Sequence, residues 1–304
     1  MHIFAKDCMS IIKLLIFSVI LVNSCYSAQA LQFSEYQPLD KVQHSFDQAQ
    51  DRHKKEVAQK LYDAIDFGRI QEVQEILKDT SIDINSRLYI IIASSHNYTD
   101  IVKLLLNYPN INVNIQDNFG DTPLIWAIDN PQKDIVKLLL NQPDVDVNIK
   151  NSVGDTALIK ASFYKNVELA ELLLNHPYVN VNIQCRRGRT ALIRAATNGC
   201  TQIVKLLLDH PAINVSLETD DRKSAVVIAK ECGYNEIVEL LETYINEYLP
   251  YKNKRIEELN KMRHANICAA TAIAPEVANI INQYAGHDFV KKDLLTFSQF
   301  LMKK

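Results

Sequence analysis

The chain has 304 residues, of which 47% are hydrophobic, 23% charged and 8% aromatic, a mixture that excludes bulk intrinsic disorder. Lys and Arg number 33 against 36 Asp and Glu, so the formal charge of −3 encodes no global attraction to nucleic acid. Seven Gly and nine Pro are too few for a sheet-rich protein built on tight turns, which leaves helices as the expected framework.

At the N-terminus, Leu14–Val22 (LLIFSVILV) is an apolar run behind Lys6 and Lys13, and Ala28-Gln29-Ala30 puts small residues where a signal peptidase inspects them. A bilayer-spanning helix needs about 20 apolar residues, and this run is broken by Asn23 and Ser24. Residues 1–30 are therefore expected to be a secretory signal peptide cut after Ala30, leaving a secreted or periplasmic protein with no membrane span. Met9 is an alternative start, and Cys25 an alternative lipoprotein attachment site. The remaining cysteines, Cys185, Cys200, Cys232 and Cys268, have spacings that suit neither a disulfide framework nor zinc and read as unpaired structural thiols. Residues 31–58 are polar, and Asp40–Lys60 is expected to form a helix with Val42, Phe46, Ala49, His53 and Val57 on one side.

From residue 59 to 248 the chain repeats itself. Gly120-Asp-Thr-Pro-Leu-Ile-Trp-Ala127, Gly154-Asp-Thr-Ala-Leu-Ile-Lys-Ala161 and Gly188-Arg-Thr-Ala-Leu-Ile-Arg-Ala195 are each 34 residues apart. The runs beginning at Ile101, Ile135, Leu169, Ile203 and Ile237 keep the same period, as do Val113-Asn114, Val147-Asn148, Val181-Asn182 and Val215-Ser216. Within a unit, Thr122, Thr156 and Thr190 cap a short helix by offering a hydroxyl to its free N–H groups. A second helix carries the Ile-Val-Lys-Leu-Leu-Leu face, and Pro109, Pro143, Pro177 and Pro211 stop it for want of an N–H. The glycines at 120, 154 and 188 then supply positive φ in a hairpin tip. No single unit buries both of its faces, so neighbours must stack.

These segments resemble the ankyrin repeat family, whose unit runs from a turn through Gly-x-Thr-Pro-Leu, helix, turn and helix to Val-Asn. The match is close over 115–148, 149–182 and 183–216, decayed over 217–248, where Arg222 replaces Gly and Ser224 replaces Thr, and divergent over 59–85. Asn85–Ala93 is five residues shorter than Asn114–Ala127, which should delete the hairpin tip there. Ile125, Ile159, Ile193 and Val227 stand where the family often has His, so burial is expected to replace a polar contact. The resemblance implies an all-α repeat solenoid of ankyrin type: stacked helix-turn-helix units with hairpin tips and a short helical tail.

No GxGxxG, Walker, HExxH or GxSxG signature occurs, and His176 and His210 repeat with the period and not as a metal site, so no catalysis, cofactor or metal is expected. The resemblance implies instead that protein partners dock on the tips and first-helix ends. Carried over residue by residue, that surface comprises Asn118, Phe119, Asp121, Val153, Asp155, Phe163, Tyr164, Arg186, Arg187, Arg189 and Arg194. Lys160, Lys165 and Arg194 are expected to join the tip arginines in a basic patch that receives an acidic or phosphorylated protein. Asp117, Asp121 and Asp155 are expected to repel nucleic acid, and the chain is expected to act as a monomer.

The tail, 249–304, begins with Pro250, which is expected to break the helix. Ile273–Tyr284 and Asp293–Met302 read as amphipathic helices that shield the end of the array. The first of these also looks like the opening of F-box-like segments, which implies an alternative: a host-directed adaptor that recruits ubiquitin-ligase machinery. The signal sequence and the Asn/Ile/Lys-rich wording point to a bacterial source.

Overall fold

The computed structural model describes residues 39–79, 82–258 and 261. Residues 1–38, and with them the expected signal peptide and Cys25, lie outside the described residues, as do Cys268, the two tail helices and the F-box-like segment. The side chains of Val42, Phe46 and Ala49 lie outside them too. The chain forms two compact units, residues 1–53 and 54–304. Of the first, only part of helix α1 (Leu39–Asp66) is described.

Helix α1 continues past the expected end at Lys60 and supplies the first helix of the first repeat, so the expected boundary between 58 and 59 falls inside one helix. Nothing between Leu39 and Asp66 stops it, since the stretch holds neither Gly nor Pro. The stop is Gly68 at φ 65, after which Arg69 N–H closes on Ala64 O at 2.8 Å.

Five further helix pairs follow α2 (Ile70–Ile76), which completes the first. They are α3 (Tyr89–Ser95) with α4 (Thr99–Leu106), α5 (Pro123–Asp129) with α6 (Lys133–Leu140), and α7 (Ala157–Phe163) with α8 (Val167–Leu174). Then come α9 (Ala191–Thr197) with α10 (Thr201–Asp209), and α11 (Ala225–Glu231) with α12 (Asn235–Thr243). First helices pack on first helices along the series α3, α5, α7, α9, α11, and each packs on its own second helix. One apolar core runs the length of the array from Leu61 to Tyr248. Among the described residues there are no strands, only a single bridge between Glu218 and Ser224.

Local chemistry follows the expected plan in the middle. Thr122, Thr156 and Thr190 accept from the N–H of Ile125, Ile159 and Ile193 at 3.3, 3.3 and 3.2 Å. Each tip closes on itself, with Asp117, Asn151 and Cys185 N–H donating to the carbonyls of Asp121, Asp155 and Arg189. In the shortened second unit the tip is replaced by a single turn in which Ser86 N–H reaches Asp83 O at 3.2 Å. Ile125, Ile159 and Ile193 are buried as expected, but Val227 is 40% exposed, since among the described residues no further first helix follows α11.

A device unread in the sequence joins the units on their loop side. Asn148 Nδ2 donates to Tyr178 O at 2.7 Å while its Oδ1 accepts from Asn180 N–H at 2.8 Å. Asn114 does the same to residues 144 and 146, Asn182 to 212 and 214, and Asn85 to 110 and 112. The asparagine of each Val-Asn pair, like Asn85 after Ile84, thus clamps the next unit with both halves of its amide.

The end of the array corrects the expectation for Pro250. Helix α12 passes through a wider π-type turn, Tyr244–Tyr248, in which Leu249 N–H bonds Tyr244 O, and helix resumes over 249–258. The widened turn takes up the proline ring that would otherwise clash with the preceding turn. Tyr244 and Tyr248 are buried, and Lys252 Nζ donates to Pro211 O at 2.7 Å, so this segment closes on the last repeat.

Candidate partner-binding surface

The tips stand in a row. Ser152 N–H donates to Phe119 O at 2.8 Å, Arg186 N–H to Val153 O at 3.2 Å and Asp220 N–H to Arg187 O at 3.3 Å, so four successive tips are linked through their backbones. The approach is close enough to demand glycine: a Cβ on Gly120, Gly154 or Gly188 would sit 2.8 Å from the backbone nitrogen of the next tip. Backbone pairing leaves the side chains free, and Phe119 and Val153 are 67% and 53% exposed. A second row is formed by the ends of the first helices, where Phe163 and Tyr164 are each about half exposed and meet edge to face.

Between the rows the charges are paired. Lys160 lies 3.6 Å from Asp121 and donates to Asp129, with only 14% of its side chain exposed. Burial acts to lower its pKa, but the bond to Asp129 and the charges of Asp129 and Asp121 prevail and hold the ammonium above its ordinary value. Burial pushes the Asp129 carboxyl up, against the opposing pull of Lys160. Asp121 also accepts from Asn151 Nδ2 at 2.8 Å. One layer on, Arg194 lies 3.6 Å from Asp155 and places its guanidinium 5.3 Å from the centre of the Phe163 ring.

Lys160 and Arg194 therefore do not belong to a free basic patch, and Asp121 and Asp155 are not free surface acids. Of the three acids expected to repel nucleic acid, Asp121 and Asp155 are ion-paired, while Asp117 keeps its charge and accepts from Trp126 Nε1 at 2.8 Å. What remains exposed of the expected patch is Lys165, Arg186 and Arg187, with Arg189 half-buried, and none of the four has an ion-pair partner among the described residues.

A family model described as ankyrin repeats matches in three overlapping copies, over residues 61–151, 90–185 and 158–248. The chain belongs to the ankyrin repeat family. A comparison with curated proteins finds no match. Among solved structures, the ankyrin repeat protein EF0377 is 28% identical with a TM-score of 0.57, the match covering 61% of this chain and 97% of that one. An ankyrin repeat domain, ABAYE2397 from Acinetobacter baumannii AYE, is 31% identical with a TM-score of 0.55, covering 60% of this chain and 95% of that one.

In this ankyrin array the site residues divide in two. Asn118, Phe119, Val153, Phe163, Tyr164, Arg186 and Arg187 are exposed on the tips and helix ends, with Arg189 half-buried beside them, whereas Asp121, Asp155 and Arg194 are built into the wall between them. Two further residues contribute, of which the sequence marks Asn198 as a helix-end residue but does not mark Phe67. Asn198 Nδ2 donates to Phe163 O at 2.8 Å and fixes the turn that presents the aromatic pair. Phe67 is 70% exposed just before Gly68, as Tyr164 stands just before Lys165, and Arg69 lies 5.5 Å from its ring centre; the shared place before a positive-φ residue is the signal that could have found it. Among the described residues no helix is long and apolar enough to cross a membrane.

Proposed function

We propose that the protein is a non-catalytic interaction scaffold that acts outside the cytosol and binds an acidic or phosphorylated protein partner on the tips and first-helix ends of its third to fifth repeats. Ankyrin repeats are in general protein–protein interaction modules. The observation that carries the reading here is two exposed rows: Phe119, Val153, Arg186 and Arg187 on one ladder of tips, and Phe163 and Tyr164 at the end of a first helix. Aromatic residues next to arginine are what interface hot spots are made of. The extracytosolic part of the proposal rests on the apolar run and the Ala28-Gln29-Ala30 site in the sequence.

Cross-linked capture with the wild-type chain and a Phe119→Asp, Tyr164→Asp double variant tests the surface. A protein recovered with the first and lost with the second is the expected result, and equal recovery with both overturns the assignment. Mass spectrometry of the native N-terminus tests the location: a start at Leu31 is expected, and an intact Met1 or Met9 in the cytosol overturns it.

A further inference from the structure

We infer that the partner presents an extended segment with two chemistries in a set order along the array: an apolar anchor over the Phe119 and Val153 tips, and carboxylate side chains over the Arg186-Arg187 tip. The inference rests on the scaffold reading above and specifies the ligand of that surface.

The argument comes from the charge register. At the closing position of successive tips stand Asp121, Asp155, Arg189 and Lys223; at the inner position of successive first helices stand Trp126, Lys160, Arg194 and Ile228. A helix cation meets the acid of the preceding tip, giving Lys160 with Asp121 and Arg194 with Asp155. At the next step the register changes sign. Arg189 takes the place of the acid, and the corresponding helix position is Ile228, so the counter-charge is gone. Arg186 and Arg187 add two exposed guanidiniums to the same tip. Against the three arginines of this tip the structure sets one carboxylate, Asp220, whose Oδ1 would lie 3.0 Å from a Cβ on Gly188, so positive charge is left in excess, and a ligand carboxylate balances it through two-pronged bonds.

The neighbours set the order. On one side the tips are apolar, at Phe119 and Val153; on the other side Asp220 and Asp221 offset Arg222 and Lys223, so that tip carries no net charge. The basic surface is thus one tip wide, which suits a short acidic stretch and not the continuous charge of a nucleic-acid backbone. Neighbouring helices pack about 8–10 Å apart, which puts Phe119 and Arg187, two repeats apart, roughly 16–20 Å from each other, or about five or six residues of extended chain.

The test pans a random linear peptide library over the full-length protein and over an Arg186→Glu, Arg187→Glu variant, whose exposed substitutions should leave its melting temperature unchanged. The wild type is expected to select an aromatic or large aliphatic residue five or six positions from an Asp or Glu. The variant is expected to bind those peptides at least tenfold more weakly and to select Lys or Arg at the acidic position. Enrichment without an acidic preference, or an acidic preference that survives charge reversal, overturns the inference and leaves the scaffold reading standing. Failure of the wild type to enrich any peptide overturns the scaffold reading itself.

Discussion

The three central repeats and the two ends of the array meet one packing problem with different residues. In the middle, Gly120, Gly154 and Gly188 occupy the positive-φ corner of a tip because another tip abuts them. At the last described tip that corner is Arg222, at φ 57, and no tip follows among the described residues. Asn114, Asn148 and Asn182 clamp the loop of the next unit, and before the last unit, where the π-type turn Tyr244–Tyr248 stands in place of that loop, the position is Ser216. The N-terminal end shows the converse. Its second unit has lost the tip, yet Asn85 still clamps residues 110 and 112, because a following loop is there to be held. Residue identity tracks the presence of a neighbour more closely than it tracks the fold of the unit itself, as expected where stability is a sum of intrinsic and interface terms.

That contrast is easiest to break by removing the same element at both places. The largest effect should come from the core: Leu173 is fully buried, and Leu173→Ala should cost about 3 kcal/mol, whereas Val227→Ala, at a side chain 40% exposed in the last repeat, should stay within about 0.5 kcal/mol. Urea unfolding monitored by circular dichroism reads both, and similar losses would mean that the last repeat is as tightly packed as the middle. Next come the glycines. Gly154 and Gly233 share a positive φ, but a Cβ meets the next tip at 2.8 Å in the first and nothing within 4 Å in the second. Gly154→Ala should therefore lose about 2–3 kcal/mol and Gly233→Ala about 1 kcal/mol, the difference being the cost of moving a neighbouring backbone.

A smaller difference should separate the clamps. Asn148→Ala removes two hydrogen bonds between units and should cost about 1.5 kcal/mol, against nearly nothing for Ser216→Ala. Hydrogen exchange should show the loss as faster opening around residues 178–180, and unchanged protection there would contradict the clamp. The smallest effect belongs to the caps: Thr156→Ala should lose about 1 kcal/mol and Ser224→Ala only a few tenths, since Ser224 makes no side-chain cap bond. Equal shifts in melting temperature for the two would show that the hydroxyl bond to Ile159 N–H contributes nothing.

Much of the architecture was legible in one dimension. The period, the threonine caps, the prolines beyond the second helices and the positive-φ glycines are local or repeated signals, and each acts within a few residues of itself. The lost tip of the second unit was legible too, as five missing residues. Stacking decided the rest. Lys160 and Arg194 read as free cations because their acids lie 39 residues earlier, on the tip of the preceding repeat, and only the offset between tip and helix brings them together. Pro250 read as a break because the turn that accommodates it depends on Tyr244 and Tyr248 being buried against the last repeat. A sequence determines which residues a single unit needs, since those contacts are close along the chain; which charges remain for a partner is decided only when units stack, because pairing depends on distance in space.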